Sequence, residues 1–426
     1  MSWIPKTQSA EFVLRNVSIP AAQNRRFDVL ISSGKVARFD VHDANTVPQS
    51  AEVIDARGGL LLPAFVDIHT HLDKGLLHPR AHSPEGDLFA AIEVAASDRT
   101  QWTPDDLALR MDFSLRCAYA YGTRGVRTHI DYVTPEPPTA WDIVELLANK
   151  WAGKLALQRV SLTPLDVLAE PGAGTRIAAH VARTGGVLGC FVYRNEGMLK
   201  KLEKVFALAA SYELALDFHV DEGLDVDATG LKMIAEMVPR FSMQGHVVCG
   251  HACSLSMQAP DEIVSTLKLC KKNGVSLVAL PTTNLFLQDR AAQTTPTRRG
   301  ITTLMEARKA EVLVAIASDN HRDPFYPYGD LDMWSAFTLG AQLAHLKSPV
   351  SDWLDLITTA PAYMMGLPDV SPVTVDSPAD FVLLNARDDS EALARSQHDR
   401  IVIRNGQMID TTLPDYRELD GLFHTH

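Results

Sequence analysis

The sequence predicts an α/β protein, a (β/α)8 TIM-like barrel with a small β-sandwich domain built from both chain termini. Eight apolar, β-branched runs alternate with helical stretches through the middle of the 426 residues, which is typical of βα units around a parallel sheet. Short segments at both ends alternate apolar with polar residues, which is typical of antiparallel strands. We therefore expect a barrel over residues 61–367 and one composite β domain from residues 1–60 and 368–426.

The terminal segments carry their own turn signals. EFVLRNVSIP and RRFDVLISSGKVARFD lie near the start, and DFVLLNAR and RIVIRNGQMID lie near the end. Ser33–Gly34 and Asn405–Gly406 are dipeptides that favour tight hairpin turns. Two β hairpins separated by about 340 residues of different pattern favour one small sheet that contains both ends of the chain.

The middle of the chain divides into regular strand and helix signals. The predicted barrel strands are 63–69, 125–131, 155–162, 186–193, 215–220, 246–251, 275–281 and 312–319. Helical patterns lie between them, for example over 198–214 and over 261–274, where Gly274 predicts the helix end. Eight strands with intervening helices match the number in a (β/α)8 barrel.

Composition restricts the partners. The net charge is −12 and no block of five or six basic residues occurs, so polynucleotides and anionic membrane surfaces are excluded as expected partners. The N-terminal segment MSWIPKTQSAEFVLRN lacks a signal-peptide pattern, and no apolar run is long enough to span a bilayer. The five cysteines show no framework spacing, which predicts reduced thiols and a cytoplasmic location. A small molecule remains as the expected substrate.

Polar residues collect where the predicted barrel strands end, which is where barrel enzymes build their sites. They are His69 and His71 after the first strand, His219 and Glu222 after the fifth, His251 after the sixth, and Asp319 and Asn320 after the eighth. Residues i and i+2 of a strand point to the same side, so His69 and His71 can converge on one ion. Three imidazoles and a carboxylate suit one divalent metal ion, Zn2+ or Fe2+, with room for a water.

Each residue also has a simpler structural explanation. A single buried histidine at a strand end is more often a hydrogen-bonded core residue, and this is the interpretation of His129. The second His-Thr-His, at residues 424–426, follows the last predicted strand on a polar tail and is not expected at the site. The coincidence of such groups at strand ends one, five, six and eight favours a metal site.

A metal ion lowers the pKa of its bound water towards 7, and side chains must then carry the proton to the leaving group. Glu222 and Asp319 are the candidates for that transfer, and His251 is a candidate for orienting the hydroxide or polarising the substrate. A non-catalytic barrel is the alternative from another class of protein, and an empty metal site in freshly purified protein would favour it.

Several of these motifs resemble the amidohydrolase superfamily, and in particular its cytosine-deaminase-like branch. The segments that carry the resemblance are PAFVDIHTHLDK, FHVDEG, GHAC, NLFLQDR with PTRRGIT, and SDNHRDPFYPYGDLDM. The resemblance implies metal ligands at His69, His71, His219 and Asp319. It also implies that Asp319 takes the hydroxide's proton as the hydroxide attacks, that His251 lies beside the hydroxide, and that Glu222 protonates the ring nitrogen and helps the amine to depart.

The resemblance is weaker for the substrate-binding residues. Pro164 stands where cytosine deaminase has a glutamine, Asn320 stands where a second aspartate is usual, and Phe325 matches a tryptophan. Leu287, in NLFLQDR, is also assigned to substrate binding. Arg194, after the fourth strand, could bind a carboxylate or carbonyl of the substrate, or could be a surface arginine paired with Glu196; Lys74 has the same ambiguity.

These observations predict a metal-dependent hydrolytic deaminase of a small nitrogen heterocycle, such as an aminopyrimidine or a pterin. The alternative is an N-alkylaminotriazine or cyclic amide amidohydrolase, because the sequence also resembles N-isopropylammelide amidohydrolase. That enzyme lacks the glutamate that this chain has at Glu222, which favours hydrolysis of a primary amino group with release of ammonia. The fourth strand ends in FVYRNEG without the lysine of binuclear relatives, so one metal is expected. A homo-oligomer is expected from relatives alone.

Overall fold

A computed structural model of the chain describes residues 3–20, 22, 25–45, 52–347, 350–368 and 373–423. The strands are β1 Glu11–Ser18, β2 Arg26–Ser32, β3 Lys35–Val41, β4 Glu52–Asp55, β5 Leu60–Pro63, β6 Phe65–Thr70, β7 Thr123–Asp131, β8 Ala156–Pro164, β9 Val187–Val192, β10 Leu216–Val220, β11 Val247–His251, β12 Val275–Ala279, β13 Val314–Ile316, β14 Phe381–Leu384, β15 Ile401–Arg404 and β16 Gln407–Met408. The prediction about the second His-Thr-His, at residues 424–426, lies outside the described residues.

Helices occupy the connections between strands. The α-helices are α1 Leu88–Asp98, α2 Pro104–Ala120, α3 Thr139–Lys150, α4 Leu165–Leu168, α5 Pro171–Thr184, α6 Met198–Ser211, α7 Gly230–Met237, α8 Pro260–Asn273, α9 Pro281–Leu287, α10 Leu304–Lys309, α11 Met333–Leu343, α12 Thr359–Met364, α13 Asp389–Ala394 and α14 Asp420–Phe423. Short 3-10 helices cover Arg99–Gln101, Val238–Phe241, Cys253–Met257, Val350–Asp352, Leu354–Ile357 and Tyr416–Leu419. As predicted, α8 ends at a glycine, Gly274, in the left-handed conformation with φ 68°.

The predicted barrel is confirmed. Strands β6 to β13 pair in chain order as one eight-stranded sheet, and neighbouring strands are parallel. The first and last strands meet where the Asp319 backbone N–H donates to the His69 carbonyl at 2.9 Å and Thr70 bridges to Asp319. Ser318 also donates its backbone N–H to the buried Asp67 carboxylate at 3.1 Å. The barrel therefore closes at the edge where the polar strand ends lie.

The terminal segments form the second sheet. It has the order β16-β15-β14-β5-β1-β2-β3, and β4 pairs with β1. The edge strand β3 and its turn contact the segment that precedes β14, because Lys35 bridges to Pro378 and the Ala379 N–H donates to the Gly34 carbonyl at 2.9 Å. The sheet thereby curls around one apolar core that includes Phe12, Val29 and Phe381.

Both predicted hairpin turns are present, and each turn has two residues with positive φ. These are Ser33 and Gly34 at 54° and 77°, and Asn405 and Gly406 at 49° and 74°. Such pairs are the type I′ geometry that suits tight hairpins. The strand Leu60–Pro63 pairs within the terminal sheet, across the expected boundary between residues 60 and 61. The division into domains stays a prediction.

Candidate active site

Four side chains converge at the carboxyl edge of the barrel. The His219 Nε2 atom lies 3.1 Å from Nε2 of His69 and 3.2 Å from Nε2 of His71. The Asp319 Oδ1 atom lies 3.2 Å from Nε2 of His71 and 3.6 Å from Nε2 of His69. A tetrahedral ion with ligands at about 2.0–2.1 Å separates its ligand atoms by about 3.3 Å. The spacing of these four groups therefore fits one ion held between them.

Burial and missing hydrogen bonds also favour a metal. The three imidazoles and the carboxylate are each at most 3% exposed, and neither oxygen of Asp319 has a hydrogen-bond partner among the described residues. Burial, followed by the neighbouring cationic groups, lowers the pKa of His69, His71 and His219 well below the usual value, so these rings are neutral donors of lone pairs. The His/Asp cluster can hold a metal ion. The role of each residue as a ligand stays a prediction.

The local backbone is shaped to bring these groups together. Asp319 and His251 adopt φ of 66° and 68°, a region that costs residues with a Cβ on the order of 1–3 kcal/mol and that is common at functional sites. Gly250 precedes His251, and a Cβ there would lie 2.9 Å from Cε1 of the His69 ring. Only glycine at position 250 leaves room for the ring of His69 in its position.

His129 lies beneath the cluster. It is fully buried, its ring centroid is 3.9 Å from that of His69, and its Nε2 lies 3.3 Å from Oδ1 of Asp217. Arg127 donates to the other oxygen of Asp217 at 2.9 Å. His129 is thus a buried neighbour of the His69 ring, but neither of its ring nitrogens makes a hydrogen bond within the described residues, so its interpretation as a hydrogen-bonded core residue stays a prediction.

Two further polar groups stand beside the cluster. Burial, followed by the charge of Asp319, raises the pKa of Glu222 well above its usual value, which favours the protonated carboxyl group. Burial lowers the pKa of His251 to about 4, so the imidazole is neutral. Asn284 Nδ2 donates to Nδ1 of His251 at 3.0 Å, which places the ring proton on Nε2. That Nε2 is buried and has no partner among the described residues. The site thus holds a carboxylic acid and a free imidazole N–H.

A cavity of about 350 Å³ opens above the cluster. Its polar part includes His71, His219, Glu222, His251 and Asn320. Its apolar walls come from α1 and from the ends of β8 and β9: Leu88, Phe89, Ile92, Leu162, Pro164, Phe191 and Tyr193, with Phe325 from the loop after β13. Asn320, Phe325 and Pro164, which were expected to bind substrate, therefore line the cavity. A flat apolar wall next to a polar floor suits a planar heterocycle.

Arg194 and Leu287 lie differently. The Arg194 side chain is 53% exposed and pairs with Asp225 through hydrogen bonds of 2.7 and 2.9 Å, so it is a surface arginine whose partner is not Glu196. The guanidinium of Arg194 stacks on the ring of Tyr193, 4.8 Å from the ring centroid. Leu287 is 3% exposed and packs in the apolar cluster that supports Tyr193 and Phe325. Neither side chain lines the cavity described above.

An ion network in the cavity wall was not predicted. Asp131 pairs with Lys74 and with Arg99, and all three residues line the cavity. Burial opposes ionisation of Asp131, but the two cations outweigh it and lower its pKa to about 2. Asp131 ends the second predicted strand, so its position at the carboxyl edge was available from the sequence. The helix α1 gave no such signal, because it lies in the long connection between β6 and α2.

Comparisons with known proteins agree with this geometry. The model of the amidohydrolase family matches residues 52–111 and 150–410. A pterin deaminase of Rhizobium rhizogenes (strain K84) is 40% identical, with 98% of each chain covered. The N-isopropylammelide isopropyl amidohydrolase of Pseudomonas sp. (strain ADP) is 23% identical, with 94% of this chain and 97% of the relative covered.

A solved structure has the same fold. The 5-methylcytosine deaminase from Klebsiella pneumoniae, in complex with 5-fluorocytosine, superimposes with a TM-score of 0.82 at 25% identity. The superposition covers 95% of this chain and 98% of that chain. The family model and the 40% identical relative extend over the cluster and over the walls from α1, β8 and β9, while Asp131 lies between the two segments that the family model matches. On this evidence the chain belongs to the amidohydrolase family.

Proposed function

We propose that this protein is a metal-dependent hydrolytic deaminase of a small nitrogen heterocycle, with a pterin as the favoured substrate. Membership of the amidohydrolase family makes it a hydrolase of C–N bonds. The observation that carries the proposal is the buried cluster of His69, His71, His219 and Asp319, with Glu222 and His251 beside it at the floor of the cavity. The reaction converts a ring carbon that bears an amino group, plus water, into a ring carbonyl and ammonia.

Different residues of the chain have different roles in the proposed reaction. A divalent ion, which His69, His71, His219 and Asp319 would hold, would supply the Lewis-acid chemistry that activates water near neutral pH. Asp319 accepts the proton of the attacking water. Glu222, which burial favours in its protonated form, donates a proton to the ring nitrogen and then assists the departing amine. The free Nε2–H of His251 hydrogen-bonds the attacking oxygen.

Relatives and cavity shape support a pterin. The 40% identical relative is a pterin deaminase. The rings of Phe89 and Tyr193 are nearly parallel, with an angle of 8° between their planes, and both line the cavity. Flat aromatic walls favour a planar bicyclic ring, which buries more apolar surface than a single pyrimidine does.

Some features are proposed on less direct support. One metal ion, Zn2+ or Fe2+, is favoured by a cluster of three imidazoles and one carboxylate. A cytoplasmic location is favoured because all five cysteines are buried and free. No helix of the described residues is long and apolar enough to cross a bilayer. A homo-oligomer is proposed only because relatives commonly assemble.

The amine that the protein releases distinguishes the main proposal from N-alkylamine hydrolysis. We would measure ammonia release by metal-replete protein from pterin, cytosine, guanine and aminotriazines, with alkylamine release from N-isopropylammelide measured in parallel. Ammonia from pterin supports the proposal. Release of alkylamine without ammonia would assign the chain to N-alkylamine hydrolysis. If metal-replete protein released neither ammonia nor alkylamine, both activities would be contradicted.

A further inference from the structure

Asn320 joins the metal cluster to the cavity. It directly follows Asp319, is 5% exposed and lines the cavity. Its Nδ2 donates to Oδ2 of Asp323 at 2.7 Å. Asp323 is fully buried, and its Oδ1 accepts the backbone N–H of Phe325 at 2.9 Å and of Tyr326 at 3.0 Å. Asp323 therefore holds both the amide of Asn320 and the loop that carries Phe325.

These contacts fix which end of the Asn320 amide is available. A carboxylate only accepts hydrogen bonds, so it binds the NH2 end and leaves the carbonyl oxygen. None of the hydrogen bonds that the described residues form ends on Oδ1 of Asn320. Burial raises the pKa of Asp323 to about 8, while the three N–H donors stabilise its charged form. Above that pH, the Oδ1 atom of Asn320, a residue that lines the cavity, is left as a hydrogen-bond acceptor.

A donor lies in the same cavity. Glu222 lines this cavity, and burial raises the pKa of its carboxyl group, so in its protonated form it can donate a hydrogen bond to a bare ring nitrogen. A floor with one donor and one acceptor matches an amino-bearing carbon that lies between a bare nitrogen and an N–H. The 2-amino-4-oxo ring of pterin has this arrangement. In cytosine the carbon on that side carries C–H, which would leave the Asn320 oxygen unpaired, and an unpaired polar group in a closed site weakens binding strongly.

We propose that Asp323 is a positioning residue that makes Asn320 a hydrogen-bond acceptor, and that this acceptor selects heterocycles with a ring N–H next to the amino-bearing carbon. The inference rests on the proposed function, because it names the feature of the substrate that this same site reads. Asp323 touches no substrate and acts only through Asn320 and the loop.

Exchanging Asn320 and Asp323 distinguishes an effect on the orientation of the Asn320 amide from an effect on local packing. Asp323→Asn keeps the size of the side chain but presents an NH2 group to Asn320, so the Asn320 amide turns and shows its own NH2 to the cavity. Asn320→Asp alone sets two carboxylates against each other. In the double exchange Asn320→Asp with Asp323→Asn, the new amide at position 323 supplies the donor, one oxygen at position 320 accepts from it, and the other oxygen remains an acceptor for the substrate. Recovery in the double variant would not follow from a purely structural role.

The test compares pterin with 3-methylpterin, in which a methyl group replaces the ring N–H. Dissociation constants and kcat/KM are measured above pH 8 for the wild type, both single variants and the double variant, with metal content as a control. The matched control is Asp330→Asn, an equivalent change at a carboxylate that accepts from the Tyr121 hydroxyl at 2.7 Å and does not line the cavity. The steric penalty of the methyl group cancels when the ratios are compared between proteins.

We expect the wild type and Asp330→Asn to prefer pterin, Asp323→Asn to lose about tenfold to a hundredfold of that preference, and the double variant to regain it. An unchanged ratio in Asp323→Asn with metal bound would overturn the inference and leave the proposed function standing. Preferential binding of pterin without turnover would instead contradict the proposed function and support the inference. If Asp323→Asn does not fold, a double variant that folds without the wild-type preference overturns the inference.

Discussion

The floor and the wall of the cavity are built in different ways. The floor consists of side chains at barrel strand ends, where His69, His219 and Asp319 are fixed by sheet pairing and by the backbone bond that closes the barrel. The wall combines the ends of β8 and β9 with α1, a helix in a long connection, whose Leu88, Phe89 and Ile92 reach the cavity from one side. Strand ends are held by hydrogen bonds on both sides, whereas α1 is held mainly by apolar packing.

This difference assigns separate tasks to the two regions. A reaction that needs a metal and proton transfer requires atoms placed within a few tenths of an ångström, which the barrel provides. Selection of a ring requires only a matching surface, which a connecting helix can change without disturbing the sheet. In the proposed reaction the floor therefore sets the class of reaction and the hydrogen-bond pattern around the amino-bearing carbon, whereas the wall sets the size and shape of the ring, and substitutions in the two regions should differ in kind.

The largest effect is expected at the floor. Asp319→Asn removes the group that accepts the proton of the attacking water, so kcat should fall about 10⁴-fold or more. Steady-state kinetics with metal-replete protein measures this loss, and metal analysis shows whether the ion is still bound. Activity near that of the wild type would contradict the role of Asp319.

Glu222→Gln should cost about 10²- to 10⁴-fold in kcat and leave the metal bound, because the amide keeps the size of the carboxyl group but cannot transfer its proton. The control is Glu196→Gln, the same change at an exposed position. If Glu222→Gln turned over like Glu196→Gln, the deaminase assignment would fail.

Asp131→Asn tests the ion network that Asp131 forms in the cavity wall. The variant leaves the buried Lys74 ammonium without its main partner, so the free energy of unfolding should fall by about 3 kcal/mol at neutral pH. The pKa of Asp131 is lowered in the fold, so its stabilisation is present above pH 3.8 and is lost as the pH falls towards about 2. Denaturant unfolding at several pH values should show a smaller difference between variant and wild type at pH 2 than at pH 7. A constant difference would contradict the ion network.

The smallest effect is expected at the wall. Phe89→Ala removes apolar surface that contacts the substrate in both ground state and transition state, so KM should rise about tenfold while kcat changes little. Phe39→Ala, in the terminal sheet where Phe39 stacks on Phe27, is the control and should lower stability without changing KM. If Phe89→Ala lowered kcat alone, Phe89 would act in the reaction itself, as the floor residues do, and not in substrate binding.

The sequence by itself determined the barrel, the terminal sheet and the residues of the floor. Strand and helix periodicities are local, and a histidine that ends a parallel strand must lie at the common edge of the sheet. For the same reason the hairpin turns at Ser33–Gly34 and Asn405–Gly406 were readable, since the second residue of each pair is a glycine, which adopts positive φ at little cost.

Only the tertiary structure decided the wall and the partners of charged groups. Arg194 follows a barrel strand as the floor residues do, yet its long side chain turns outward to Asp225, a choice that depends on a residue 31 positions away. The approach of α1 to the cavity and the contact of Asp131 with Lys74 and Arg99 likewise depend on how separate segments pack. Local pattern fixes where a backbone lies, whereas packing and pairing between distant segments decide where long side chains point.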